Sequence, residues 1–167
     1  MLINLLPSFD RKLVESLLLS GYSLDSPGLI YGKAGVSLCL FEAARFFNDE
    51  SIETHAFELF QESLAWDLKD YSFVSGKAGV AWTLHYLIEN HFIDADYIEL
   101  YDIEHRLIIE LLKEVNVGQL GIESSLGFLV FLFAVQTKIE ASEFDVIQKT
   151  LLTSIFDFFF DYSSYSN

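Results

Sequence analysis

Apolar residues recur at intervals of three and four along most of this chain, and this spacing is typical of α-helices. Three of the periodic segments are apolar nearly all round: Lys33 to Phe47, Lys77 to Glu89 and Ser125 to Gln136. Three others carry one apolar stripe and one charged face, and these cover Ile52 to Leu68, a stretch from Asp94 or Asp96 to about Glu114, and Ser142 to Phe160. Helices of the first kind are enclosed by their neighbours, whereas helices of the second kind are half exposed. The two kinds alternate along the chain, and no long segment has the period of a β-strand.

This alternation predicts an all-α fold built from antiparallel helical hairpins, each pairing one enclosed helix with one amphipathic helix. We expect a single domain over residues 1–167, with hairpins at roughly residues 28–70, 72–115 and 120–162. A helix over residues 8–20 precedes them, because Ser8 is a suitable amino-terminal cap and Gly21 a suitable end. The enclosed helices then form an inner layer and the amphipathic helices an outer layer.

An internal repeat supports the hairpin prediction. The segment Gly32-Lys33-Ala34-Gly35-Val36 returns unchanged as Gly76-Lys77-Ala78-Gly79-Val80. A third, degraded copy keeps the second glycine and the apolar run that follows it. Such a period indicates an array of like units whose last member is atypical. Because glycines let a neighbouring backbone approach closely, we expect this set to pack one hairpin against the next: Gly32, Gly35, Gly76, Gly79 and Gly127.

The composition excludes several classes of protein. A hydrophobic content of 51% excludes disorder. A net charge of −15 excludes nucleic-acid binding, which needs a basic face. The longest uncharged stretch, residues 124–137, is shorter than the roughly 20 residues of a membrane span, and Pro7 and Asp10 interrupt the apolar amino end, unlike a secretory signal. Cys39 is the only cysteine, so no intrachain disulfide forms. We expect a cytoplasmic protein with no membrane span.

Candidate catalytic chemistry is sparse. A zinc site needs three or four converging ligands, and the available side chains are scattered: Cys39, His55, His85, His91 and His105. Paired carboxylates for sugar hydrolysis need an apolar setting and a set distance, and only Glu42 and Glu89 lie well within the enclosed helices. We therefore expect no catalytic residue, no metal ligand and no cofactor in this chain.

Two lysines of the repeated segment are unusual. Lys33 and Lys77 fall in the first turn of their helices, where the helix dipole disfavours a cation. In one interpretation their stems lie on neighbouring surface and the ammonium groups reach water or carboxylates. In the other, they form a short row of positive charge that binds an anion or a peptide carboxylate beside the helix amino ends.

The repeated segments resemble the lanthionine synthetase C-like proteins. The features that carry the resemblance are Gly-x-x-Gly at the start of a buried helix and the apolar strip before it, Leu29-Ile30-Tyr31 or Phe73-Val74-Ser75, and they cover about residues 28–135. The resemblance implies part of an α/α toroid, a ring of helical hairpins. In that family, a zinc ion held by two cysteines and a histidine activates the cysteine thiol of a peptide, which adds to a dehydrated serine or threonine. In this chain the residues directly before the glycines are Tyr31 and Ser75, and neither is a zinc ligand. A single cysteine also cannot supply two ligands. The resemblance therefore implies the fold but not the zinc site.

The function that we expect is a non-catalytic component of a peptide-modification pathway, binding a peptide or a partner protein. One alternative is the amino-terminal part of a zinc-dependent thioether cyclase whose ligands lie outside this chain. Another is a general α-solenoid interaction module. Three hairpins leave both ends of the inner layer uncovered, and residues 156–162 are rich in aromatics. We therefore expect a homodimer or docking to another chain.

Overall fold

The computed structural model describes residues 11–66, 69–94, 98–117 and 121–164. Within these residues the chain is all-α, as predicted, and no β-strand is present. The α-helices of the described residues are α1 (Arg11–Tyr22), α2 (Lys33–Phe47), α3 (Glu50–Leu64), α4 (Lys77–Glu89), α5 (Ile98–Val117), α6 (Ile122–Ala134) and α7 (Ala141–Ser164), with a short 3-10 helix, Gln136–Lys138, between the last two. None of them combines the length and the apolarity that a bilayer crossing would require.

The helices pair as three hairpins, α2 with α3, α4 with α5 and α6 with α7. The first helix of each pair belongs to an inner row, because α4 packs against both α2 and α6. Helix α1 lies across α2 and α3 and closes the amino-terminal side of the row. The helices that are apolar on nearly all sides are buried in this row. Removal of their apolar surface from water is the dominant favourable term in folding.

The core consists of two clusters, one at each junction between hairpins. The first joins α1, the first hairpin and the second hairpin, and its largest enclosed side chains are Phe41, Phe60, Leu59 and Leu84. The second joins the second and third hairpins around Phe128, Phe131, Leu111, Ile147 and Leu151. Each hairpin therefore completes its core only by packing on a neighbour, as expected of a repeat protein.

Several predicted helix ends differ from the observed ones. Gly21 does not end α1, which continues to Tyr22 with Gly21 buried inside it. A β-carbon at Gly21 would come within 2.9 Å of Leu59 and Val36, so the glycine serves close packing of α1 on the first hairpin. Helix α3 ends at Leu64 rather than Leu68. The predicted caps Ser8 and Asp96 lie outside the described residues.

The turn before α3 carries a side-chain cap. The Asp49 carboxylate accepts hydrogen bonds from the backbone N–H groups of Ser51 and Ile52, at 3.1 and 3.4 Å. Such a cap satisfies donors that have no partner within the helix.

The loops before α2 and α4 close in the same way. The backbone N–H of Lys33 donates to the carbonyl of Ser26 at 2.8 Å, and that of Lys77 donates to the carbonyl of Asp70 at 2.9 Å. The two loops are also bonded to each other, because the N–H of Ile30 donates to the carbonyl of Val74 at 2.9 Å. The first two repeats therefore share one local structure and are joined through it.

The motif glycines accommodate these loops. A β-carbon at Gly35 would overlap the carbonyl oxygen of Leu29, and one at Gly79 would overlap that of Phe73. Gly32 and Gly76 likewise face the backbone of their own loops. Contact between hairpins, which we expected of the whole set, is made by Gly79 with Leu29 and by Gly127 with Phe73. The main role of these glycines is thus to let each loop pack closely on its own inner helix. Only Gly79 and Gly127 also make room for a neighbouring hairpin.

Candidate functional site

A groove separates the outer helices α3 and α5 and is the most apolar of the larger cavities. It encloses about 590 Å³. Its lining comes mainly from partly buried apolar side chains that face each other across the gap, with Gln61 and Asp94 as polar members: Phe57, Gln61, Leu64, Ala65, Phe92, Ile93, Asp94, Leu100 and Ile103. We call this cavity the outer groove. Ligand sites are commonly clefts of this volume with a mainly apolar lining and few polar groups.

A smaller pocket of about 210 Å³ continues the outer groove, because Leu64 and Ile103 line both cavities. Its lining includes two cations, Lys77 and Arg106, and one carboxylate, Glu110, together with the exposed ring of Trp66. We call it the basic pocket. The lining of the basic pocket has two cations against one carboxylate in a protein with a net charge of −15, and this local excess of positive charge favours an anionic group.

The structure pairs both motif lysines with carboxylates of the following outer helix. Lys77 Nζ lies 3.0 Å from Glu110 Oε2 and 5.1 Å from the ring centre of Tyr71. Lys33 pairs with Glu62 in the same manner. The two lysines differ in access, since Lys33 is 7% exposed and outside the lining of the outer groove and basic pocket, whereas Lys77 lines the basic pocket.

A second polar cluster lies at the junction of the second and third hairpins. His85 Nδ1 of α4 lies 2.7 Å from Glu104 Oε1 of α5. Lys138 Nζ of the 3-10 helix donates to both oxygens of Glu104, at 2.7 and 2.8 Å. Glu104 is only 2% exposed. Burial alone raises the pKa of this carboxyl, but hydrogen bonds from His85 and Lys138 outweigh burial and hold the pKa below its usual range.

Of this cluster, His85 was a candidate from the sequence, whereas Glu104 and Lys138 were not. The one available signal is that repeat one has Phe41 at the position of His85. A histidine in place of a buried phenylalanine requires a polar partner. The sequence does not indicate which residue that partner is.

The other metal and acid candidates are dispersed. His55 is a surface residue, bonded to Tyr22 and Glu58, and His91 is an exposed turn residue with a φ of 56°. The pKa of the Cys39 thiol is raised by partial burial and then by Glu42, so this thiol stays protonated at neutral pH. Among the residues that the structure describes, no three His, Cys, Asp or Glu side chains converge to hold a metal ion.

The two inner-helix carboxylates have separate partners. Glu42 accepts a hydrogen bond from the hydroxyl of Tyr86 at 2.8 Å, which links α2 to α4. Glu89 is exposed and lies 3.9 Å from Lys138 Nζ. Tyr86 also stacks between Trp82 and Phe92, and the Arg45 guanidinium lies 3.4 Å above the Phe92 ring centre. This row joins the inner helices and accounts for Glu42 as a structural residue.

We compared the chain with the models of known protein families, with curated proteins and with solved structures, and none of the three comparisons gives a significant match.

Proposed function

We propose that this protein is a non-catalytic helical-repeat component of a peptide-modification pathway, and that it binds a peptide in the outer groove. The observation that carries the proposal is the continuity between the apolar outer groove and the basic pocket. The ligand that fits both is a peptide with apolar side chains followed by a carboxylate. The pathway rests on the resemblance to lanthionine synthetase C-like proteins, in which helical hairpins form a toroid around a peptide-modifying site.

The two cavities supply different parts of the binding free energy. The half-buried apolar side chains of the outer groove, such as Leu64 and Ile103, gain roughly 25 cal/mol for each Å² of apolar surface removed from water. The basic pocket supplies orientation, because a peptide carboxylate can compete with Glu110 for Lys77 and can also reach Arg106. Charge-assisted hydrogen bonds of this kind are about twice as strong as neutral ones.

We expect a labelled apolar peptide with a free carboxyl end to bind more tightly than the same peptide with an amidated end, by about five- to tenfold. Fluorescence anisotropy on the full chain measures both affinities. Lys77→Met should reduce the affinity for the acid-ended peptide to that for the amide and leave the amide unchanged. Leu100→Glu, in the outer groove, should weaken the binding of both peptides.

Lys33→Met is the matched control, because Lys33 occupies the same repeat position and also pairs with an outer-helix carboxylate but lies outside both cavities. It should leave peptide affinity unchanged. Equal binding of the two peptides by the wild-type chain and by Lys77→Met would rule out the basic pocket as the carboxylate site. Stoichiometric zinc in the purified protein would instead favour the amino-terminal part of a zinc-dependent cyclase.

A further inference from the structure

We infer that the outward side of the third hairpin joins two copies of this chain in a symmetric pair. This side, which we call the open face, consists of one apolar stripe on each helix: Leu126, Val130 and Phe133 on α6, and Leu152, Phe156 and Phe159 on α7. In each stripe the residues are spaced by three and four positions, so they lie on one side of their helix. The inference is independent of the proposed peptide site, which lies between α3 and α5.

The internal repeat indicates which kind of contact the α6 stripe can make. Gly127 corresponds to Gly79, so Leu126 and Val130 correspond to Ala78 and Trp82. In the second repeat, Ala78 and Trp82 belong to the cluster that packs against the third hairpin. The same positions of the third hairpin therefore face the place where a following hairpin would pack.

The open face is exposed in the single chain. Leu126, Val130 and Phe133 are 48%, 50% and 46% exposed. On α7, Leu152, Phe156 and Phe159 are 37%, 60% and 59% exposed. Six large apolar side chains are thus exposed on two helices that pack against each other, and exposed apolar surface of this extent usually marks an interaction site.

The charges of the open face favour a second copy over a basic partner. The six side chains of the open face are themselves uncharged: Glu123 is the one charged residue of α6, and the charged residues of α7, among them Asp145, Lys149 and Asp157, lie outside the stripe. The rest of the chain carries nearly all of the −15 net charge. A two-fold contact places the open face against itself, joins apolar surface to apolar surface, and keeps the acidic parts of both copies in water.

The area of the open face is large enough for a weak interface between two copies. Six large side chains, each about half exposed, can remove roughly 500 Å² per copy and about 1,000 Å² in all, which is near the lower limit for specific interfaces. We therefore expect a reversible dimer that dissociates on dilution.

Analytical ultracentrifugation of the full chain over a wide concentration range tests the inference. The wild-type chain should form dimers, and Val130→Glu should weaken the dimer at least tenfold, because each new carboxylate would be buried against apolar side chains of the other copy. Circular dichroism and thermal melting should show that the variant remains folded. Leu19→Glu is the control, since Leu19 is an exposed apolar residue on α1, away from the open face. The dimer dissociation constant of this variant should equal that of the wild type.

A cross-link gives a second measurement that does not depend on destabilising the pair. In a Cys39→Ser background, a thiol-reactive cross-linker long enough to span the interface should join two copies of Val130→Cys into a dimer and should not join two copies of Leu19→Cys. A wild-type chain that stays monomeric at all concentrations would overturn the inference. A dimer that Val130→Glu leaves intact and Leu19→Glu weakens would also overturn it, since the copies would then meet through α1.

Discussion

Gly35→Ala is expected to lower the free energy of unfolding by about 3–5 kcal/mol. The added β-carbon would overlap the carbonyl oxygen of Leu29, and a backbone atom cannot move aside as the end of a flexible side chain can. The loop would have to leave the first turn of α2 and would weaken its own contacts with that turn. Urea unfolding of the wild-type and variant chains, followed by circular dichroism, measures the loss.

Gly121→Ala is the control for this prediction. Gly121 precedes α6 with a φ of −65°, and a β-carbon there would meet no heavy atom within 4 Å. Because alanine adopts that conformation without strain, we expect a change of about 0.5 kcal/mol at most in either direction. If Gly35→Ala were as mild as Gly121→Ala, the close seating of the loop on α2 would be wrong.

Glu104→Gln is expected to cost about 2–4 kcal/mol at neutral pH, because removing one member of a buried ionic cluster leaves its partners without compensation. Lys138 would lose the anionic partner at 2.7 and 2.8 Å and keep Glu89 at 3.9 Å, and His85 would lose its hydrogen-bonded anion. Glu110→Gln is the matched control. It makes the same chemical change in the Lys77 pair, where the carboxylate side chain is 42% exposed and the lysine side chain 20% exposed, and should cost less than about 1 kcal/mol.

The stability difference between the wild type and Glu104→Gln should also depend on pH. The folded-state pKa of Glu104 is lowered, so its contribution is complete above the pKa of an unfolded glutamate. That contribution should be present at neutral pH and should decline as the pH falls below about 4, through the folded-state value. An equal difference between the two chains at pH 7 and in strong acid would contradict the assigned role of Glu104.

The first two inner helices were predictable from sequence because the repeated segment marks where they begin, whereas α6 begins at Ile122 rather than at the predicted Ser125. The bounds predicted for α2 and α4, Lys33 to Phe47 and Lys77 to Glu89, are the observed ones. Gly21 was misread because a glycine near a helix end resembles a stop signal, whereas here it makes room for Leu59 and Val36. That requirement comes from tertiary packing, which no local pattern contains.

The candidate site was much less predictable. Lys33 and Glu62 are separated by 29 residues, whereas Lys77 and Glu110 are separated by 33, so no fixed spacing reveals that the two pairs are equivalent. The outer groove lies between helices of different hairpins, and its width depends on how closely those hairpins pack against each other. Sequence periodicity identifies the face that a helix buries, but it does not give the gap between two outer helices.

The bond between the two loops makes the amide proton of Ile30 a reporter of how the first two hairpins move. Its side chain is exposed, yet its N–H donates to Val74 of the next repeat. Exchange of that proton for deuterium requires this bond between the two loops to open, and its rate gives the free energy of that opening. If hairpins one and two separate before the whole chain unfolds, this amide will exchange ahead of the amides buried within α2 and α4.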